Sequence, residues 1–329
     1  MNWKDRQVFV TGAGGFIGSH LVDALLARGA RVRAMVRYNS RSSRGQLSEL
    51  SGPRHERLEV VAGDIRDSRF VTRAVGGSEV VFHLAALIGI PYSYVAPSSY
   101  LDTNIAGTLN VLEAVRETGA SRLVHTSTSE VYGSAVYVPI DENHPLQGQS
   151  PYSASKIGAD KLAESYFNSF EVPVVTLRPF NTYGPRQSPR ALLPSVLLQA
   201  LSADSIRVGS LEPVRDLTYV TDTVEGFLRA GSVPGIAGET INLGTGEGFS
   251  VGELVKMACD AVGRHPPVVV DEQRVRPKQS EVMRLVSCNA RAREKLDWAP
   301  SIALDKGLEL MLPWFRDNPN YYDASVYNV

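Results

Sequence analysis

Only two cysteines, Cys259 and Cys288, occur in 329 residues. A disulfide framework is therefore excluded, and a reducing cytoplasm is the expected compartment. Cysteine and histidine nowhere cluster at ligand spacing, so no metal site is expected. No apolar run is long enough to span a bilayer. The first six residues lead straight into a strand-like segment, without the pattern of a leader. Lys and Arg number 34 against 35 Asp and Glu, and this balance gives no reason to expect nucleic acid or a membrane surface as partner. Repeats and low-complexity tracts are also missing. What remains, 43% hydrophobic and 21% charged residues, describes a globular chain long enough for one large domain or two smaller ones.

Short apolar runs alternate with helix-like stretches. Val8–Thr11, Val32–Arg37, Leu58–Ala62, Val80–Leu84, Leu123–Thr126 and Val172–Leu177 read as buried strands. Helices are expected over Ile17–Arg28, Leu101–Thr118 and Tyr152–Phe170. Continuous apolar strands separated by helices predict a Rossmann-like, doubly wound parallel sheet covered on both faces. After Arg178, Pro and Gly become frequent and the alternation fades. The expected division is a dinucleotide-binding domain over 1–180 plus about 217–243, and a smaller mixed α/β lobe over 181–216 and 244–329 that holds the substrate.

Thr11-Gly12-Ala13-Gly14-Gly15-Phe16-Ile17-Gly18 falls between the first strand and the first helix. Gly12 permits the tight turn, Gly15 the approach of a pyrophosphate and Gly18 the packing of helix on strand. The anion would rest on the helix N-terminus at Phe16 and Ile17. The second strand ends in Arg37-Tyr38-Asn39-Ser40-Arg41. An acidic residue there would take ribose hydroxyls, whereas Arg37, Ser40 and Arg41 can cup a 2′-phosphate, which favours NADP over NAD. The alternative is a solvated basic loop that Arg44 continues. Asp64 and Ile65, after the third strand, are placed for the adenine edge. Leu84-Ala85-Ala86 forms a small-residue turn at the fourth strand.

Tyr152 and Lys156 stand four apart in Tyr-Ser-Ala-Ser-Lys, hence on one face of a helix. An ammonium and a nicotinamide cation nearby would lower the phenol pKa and make Tyr152 a base. Ser127, Thr128, Ser129 and Glu130 end the preceding strand, and their hydroxyls can bond a substrate oxygen. A non-catalytic dinucleotide-binding protein would have no need of this pair. His83 and His125 read as structural, and Cys288 is assigned no chemistry.

Together with Asn104, Arg178-Pro179-Phe180-Asn181-Thr182-Tyr183-Gly184-Pro185, Arg215-Asp216-Leu217 and Asn242-Leu243-Gly244, these motifs resemble the extended short-chain dehydrogenases that act on sugar nucleotides. The resemblance covers nearly the whole chain. It implies a nucleotide-diphosphate sugar as substrate, contacts from Asn181, Arg215 and Arg276, a cofactor contact from Asn104, and a homodimer paired through Leu101–Thr118 and Tyr152–Phe170. Glu130 stands where 4-epimerases usually carry a small residue and 4,6-dehydratases a glutamate. GDP-mannose 4,6-dehydratases look similar across Thr128-Ser129-Glu130. Ala85–Tyr92 and the terminal Tyr327-Asn328-Val329 look like the 4,6-dehydratases of nonulosonic-acid pathways. Nucleotide-glucuronate decarboxylases share Thr-Ser-Glu, but their tyrosine motif differs. The implied reaction oxidises carbon 4, eliminates water across carbons 5 and 6, and returns hydride to carbon 6, with the cofactor tightly held and recycled. One departure stands out. Where dTDP-glucose dehydratases carry an aspartate acid, this chain has Ser129, so Glu130 must serve as both base and acid.

Overall fold

A computed structural model describes residues 2–49, 56–275, 277 and 279–318. Arg276 and Tyr327-Asn328-Val329 lie outside the described residues. Seven strands form one parallel sheet: β1 (Gln7–Thr11), β2 (Arg31–Arg37), β3 (Leu58–Gly63), β4 (Val80–His83), β5 (Arg122–Thr126), β6 (Val174–Pro179) and β7 (Thr240–Leu243). Their spatial order is β7-β6-β5-β4-β1-β2-β3. The strand expected over Val172–Leu177 starts instead at Val174 and runs to Pro179, since Pro173 has no N–H to give the ladder.

The period-2 pattern of each strand sends alternate side chains to opposite faces. Val8 and Val10 join one core with Leu21 and Leu25 of α1 (Phe16–Ala27) and with Val224 and Phe227 of the Val220–Ala230 helix. Phe9 and Met35 join the other, with Val71 of α2 (Ser68–Val75), Val111 and Val115 of α3 (Gly107–Thr118) and Ala163 of α4 (Pro151–Phe170). Both faces of the central strands are thus buried, which is why β1, β4 and β5 read as largely apolar runs, whereas edge strand β3 keeps Glu59 exposed.

The helix expected from Leu101 is not regular. Its first stretch, Leu101–Ala106, is a wide π-helical segment that leads into α3. Such widening re-aims side chains and is frequent at functional sites; here it carries Asn104.

Beyond the main sheet, short strands pair in mixed directions. Asn181–Tyr183 lies parallel to Leu217–Tyr219. Val214–Arg215 pairs antiparallel with Phe249–Ser250 and parallel with Arg284–Leu285. The Leu192–Ser202 and Val251–Val262 helices pack on one another beside them. Among the described residues no helix is long and apolar enough to cross a membrane.

Candidate active site

The strand order reverses between β1 and β4, which lie side by side with Thr11 opposite His83. In open parallel sheets the crevice beyond the strand ends at such a switch point is where ligands bind. Here the glycine loop leaves β1 and Leu84-Ala85-Ala86 leaves β4. Gly12 has φ +66°, and a Cβ there would sit 2.7 Å from the Ala85 nitrogen. A Cβ on Gly18 would sit 2.3 Å from the Gly12 carbonyl oxygen. Glycine is thus forced at both positions by backbone approach. Gly15 caps α1 without a side-chain hydrogen bond, and the first turn at Phe16 and Ile17 holds no acidic residue. This uncapped, dipole-positive end fits a pyrophosphate.

A buried hydroxyl fastens the two loops. Thr11 Oγ1 accepts from the Leu84 and Ala85 amides (3.1 and 3.0 Å) and donates to His83 Nδ1 at 2.9 Å. His83 Nε2 then donates to Thr108 Oγ1 at 3.0 Å, whose own proton goes to the Asn104 carbonyl. His83 is therefore a neutral structural histidine, and burial pushes its pKa well down.

Arg37, Ser40 and Arg41 are exposed at the end of β2. Their loop is shaped by Asn39, whose side chain bonds Arg37, Arg41 and Ser43 backbone atoms. The loop closes on the glycine turn, where the Gln46 amide donates to the Gly14 carbonyl at 2.9 Å. Asp64 is held by a two-pronged pair with Arg66 (2.9 and 2.6 Å), which lowers its pKa to about 2. Ile65 is buried, with its side chain against Gly107 at the start of α3.

Tyr152 and Lys156 are 7% and 3% exposed on α4. Ser150 caps this helix through a reciprocal capping box with Ser153. Lys156 Nζ donates to the Thr126 carbonyl at 2.7 Å. Burial brings its pKa down to about 8, against the opposing pull of Asp160. The expectation of a lowered Tyr152 pKa is not met by the protein alone. Burial pushes the phenol up, and the Thr128 hydroxyl bonded to it offsets only part of that rise. The Glu130 carboxylate is near enough to push the phenol further up. Thr128 also caps the Ser129–Tyr132 turn, accepting from the Glu130 amide at 3.2 Å. Ser127 is engaged elsewhere, donating to Asp160 at 2.8 Å. Of the two hydroxyls, Thr128 is thus the one that meets the phenol. Ser129 is buried.

Asn104 Nδ2 donates to the Leu87 carbonyl and to Ser155 on α4, while its Oδ1 accepts from the Leu87 amide. It therefore pins the segment after Ala86 to α4. Tyr100 packs edge-on to Tyr152 with centroids 6.3 Å apart and donates to the Gly89 carbonyl. On the far side, Asn181 Nδ2 is a buried donor without a partner among the described residues, as a site awaiting a polar ligand requires. Arg215 is paired with Glu281 at 3.1 Å.

Sequence reasoning missed the buried acid beneath this site. Asp160 lies one turn beyond Lys156 and accepts from His125 (3.2 Å), Ser127 and Arg178 (3.1 and 3.0 Å). Arg178 also donates to Tyr132 Oη at 2.9 Å, and Tyr132 to Asn242 at 2.7 Å. A carboxylate on the apolar face of an amphipathic helix was the available signal.

A family model described as GDP-mannose 4,6 dehydratase matches residues 9–311. The chain belongs to the epimerase/dehydratase family of extended short-chain dehydrogenases and is an enzyme of that family. It is 35% identical to a UDP-glucose 4-epimerase of Mycolicibacterium smegmatis over 94% of this chain and 99% of the relative. It is 30% identical to a dTDP-glucose 4,6-dehydratase of Xanthomonas campestris pv. campestris, over 95% and 93%. The solved DesIV dTDP-glucose 4,6-dehydratase of Streptomyces venezuelae, with NAD and TYD bound, superposes with a TM-score of 0.86 at 30% identity, covering 96% and 99%.

Proposed function

We propose that this enzyme is a 4,6-dehydratase of a nucleotide-diphosphate sugar. The observation that carries the reading is the placement of Glu130. A 4-epimerase needs a base at carbon 4 and nothing further, whereas this site adds a carboxylate within electrostatic reach of the Tyr152 phenol. A nicotinamide dinucleotide supplies the hydride acceptor and donor. The glycine turn at Gly12, Gly15 and Gly18, with Phe16, Ile17, Leu84, Ala85 and Ala86, would hold it, with Asp64 and Ile65 at its adenine end. Tyr152 takes the proton of the carbon 4 hydroxyl, with Thr128 donating to its oxygen and Lys156 supplying positive charge. Glu130 then removes the carbon 5 proton and, with Ser129 unable to act as an acid, returns one to the departing carbon 6 hydroxyl. Asn181 and Arg215 would hold the diphosphate, Arg215 exchanging its Glu281 partner for it, and Arg276 is assigned the same task.

Arg37, Ser40 and Arg41 support NADP, although DesIV was solved with NAD. Exposed Leu101, Leu109 and Phe170 on the π segment, α3 and α4 support a homodimer, and the paucity of cysteine supports a cytoplasmic setting. A 4-epimerase is the second reading, favoured by the 35% identity to one and by Ser129. The test is mass spectrometry of products from UDP, GDP, dTDP and CDP hexoses. Loss of one water supports dehydration; an isobaric product means epimerisation, and loss of carbon dioxide from a uronic acid means decarboxylation.

A further inference from the structure

The Asp160 cluster lies one helical turn beyond Lys156 on α4, and the reaction outlined above gives Asp160 no step. Asp160 is 5% exposed, and its carboxylate oxygens receive hydrogen bonds from three residues. His125 and Ser127 come from the end of β5 and beyond it, and Arg178 comes from β6. The carbonyl that holds Lys156 belongs to Thr126, the residue between the two that Asp160 clamps. The next residue, Thr128, meets the Tyr152 phenol. One buried carboxylate thus fixes the strand end from which both reach their partners.

We propose that Asp160 is a positioning residue for the active site: it clamps the strand end that presents the Thr126 carbonyl and Thr128, and it sets a buried anion one helical turn from the Lys156 ammonium. The titratable groups that interact with Lys156 are Asp160, one turn on along α4, His83 on β4 and His125 on β5, and Arg178 on β6 is paired with Asp160. His83 and His125 are both held neutral by burial, and Arg178 is cationic. Of the anions, Asp160 is the one that opposes the effect of burial on Lys156. An ion-paired acid placed here for stability alone would need Arg178, but not the bonds to both residues that flank Thr126.

The inference rests on reading Tyr152 and Lys156 as the reacting pair, so its first test does not use turnover. The ¹³Cε resonance of Lys156, assigned by its loss in Lys156→Met, is titrated in the parent and in Asp160→Asn. The expected result is a midpoint near 8 in the parent and a fall of at least one pH unit in the variant. An unchanged midpoint overturns the electrostatic half. Should Asp160→Asn not fold, Asp160→Asn/Arg178→Met removes the buried charge pair together, a change that cores often tolerate, and the same fall is expected. Ser127→Ala keeps the charge but cuts one strap. With whichever hexose nucleotide the wild type consumes, kcat should fall at least tenfold with KM within twofold and the Lys156 midpoint unmoved. Unaltered kcat overturns the positioning half. If no nucleotide sugar is consumed by the wild type, the function reading fails while the titration still decides the role of Asp160.

Discussion

Replacing Thr128 with valine keeps the volume of the side chain and deletes its hydroxyl, which has two partners. It donates to the Tyr152 phenol and accepts from the Glu130 amide at 3.2 Å. Loss of the second contact removes the cap of the Ser129–Tyr132 turn, and loss of such a cap costs about 1 kcal/mol of stability. Loss of the first removes a group that favours the phenolate, the form able to take the proton. Each unit by which the phenol pKa then rises leaves about tenfold less of that form at a given pH below it. The sign on pH follows from the same bond. The hydroxyl favours the phenolate, so without it the Tyr152 pKa rises further, and the acid limb of the kcat/KM profile moves to higher pH. Steady-state rates across pH, paired with urea unfolding, separate the two effects. Thr128→Ser, which restores the hydroxyl, should recover most of the rate. Turnover within twofold of wild type in Thr128→Val, with an unmoved acid limb, would refute the assignment of Thr128 to the phenol.

Other perturbations test separate parts of the site. Tyr152→Phe keeps the ring that packs against Tyr100 and should leave cofactor affinity nearly intact while the rate falls by about 10²–10⁴; wild-type turnover would end the proposed role. Arg37→Asp should shift preference from NADP toward NAD, since a carboxylate repels a 2′-phosphate and accepts from free ribose hydroxyls. Calorimetric titration of both dinucleotides checks this, and a wild type that already prefers NAD contradicts it. Burial holds His83 neutral, well below its ordinary 6.5, so below that pH the unfolded chain binds a proton that the folded one refuses. Its stabilisation is present above the unfolded pKa and lost as pH falls, by about 1.4 kcal/mol per unit. Urea unfolding at about pH 7.5 and 5.5 should show this loss, and His83→Gln should remove the part due to His83 while that due to His125, likewise held neutral by burial, remains.

The sheet was legible because its strands are buried on both faces and its connections are helical, a pattern that alternating polarity would not imitate. The glycine loop was legible for a similar reason: Gly12 and Gly18 answer to backbone clashes that any side chain would provoke. The Tyr152–Lys156 spacing placed both groups on one helical face, but spacing carries no dielectric. Burial pushes the phenol up, and the fall expected of it depends on a nicotinamide cation that spacing cannot weigh against that burial. Spacing likewise left Ser127 and Thr128 equivalent. Their division of labour depends on Asp160, which is 33 residues from Ser127 in sequence and meets it only through the packing of α4 on β5. The π-helical segment was hidden because Leu101–Thr118 reads as one helix, and widening one turn changes the aim of Asn104 more than it changes the pattern.

The most direct test of the dehydratase account is the fate of the carbon 5 proton in wild type and in Glu130→Gln. The substitution keeps size and removes the base. In deuterium oxide, the wild-type product should have lost one water and carry deuterium at carbon 5. In the variant, oxidation at carbon 4 should survive through Tyr152, while deuterium entry and water loss are suppressed by at least tenfold, leaving a 4-keto sugar with its carbon 6 hydroxyl intact. A Glu130→Gln enzyme that dehydrates a hexose nucleotide at the wild-type rate, or a wild type whose product is isobaric with its substrate and free of deuterium at carbon 5, would contradict it.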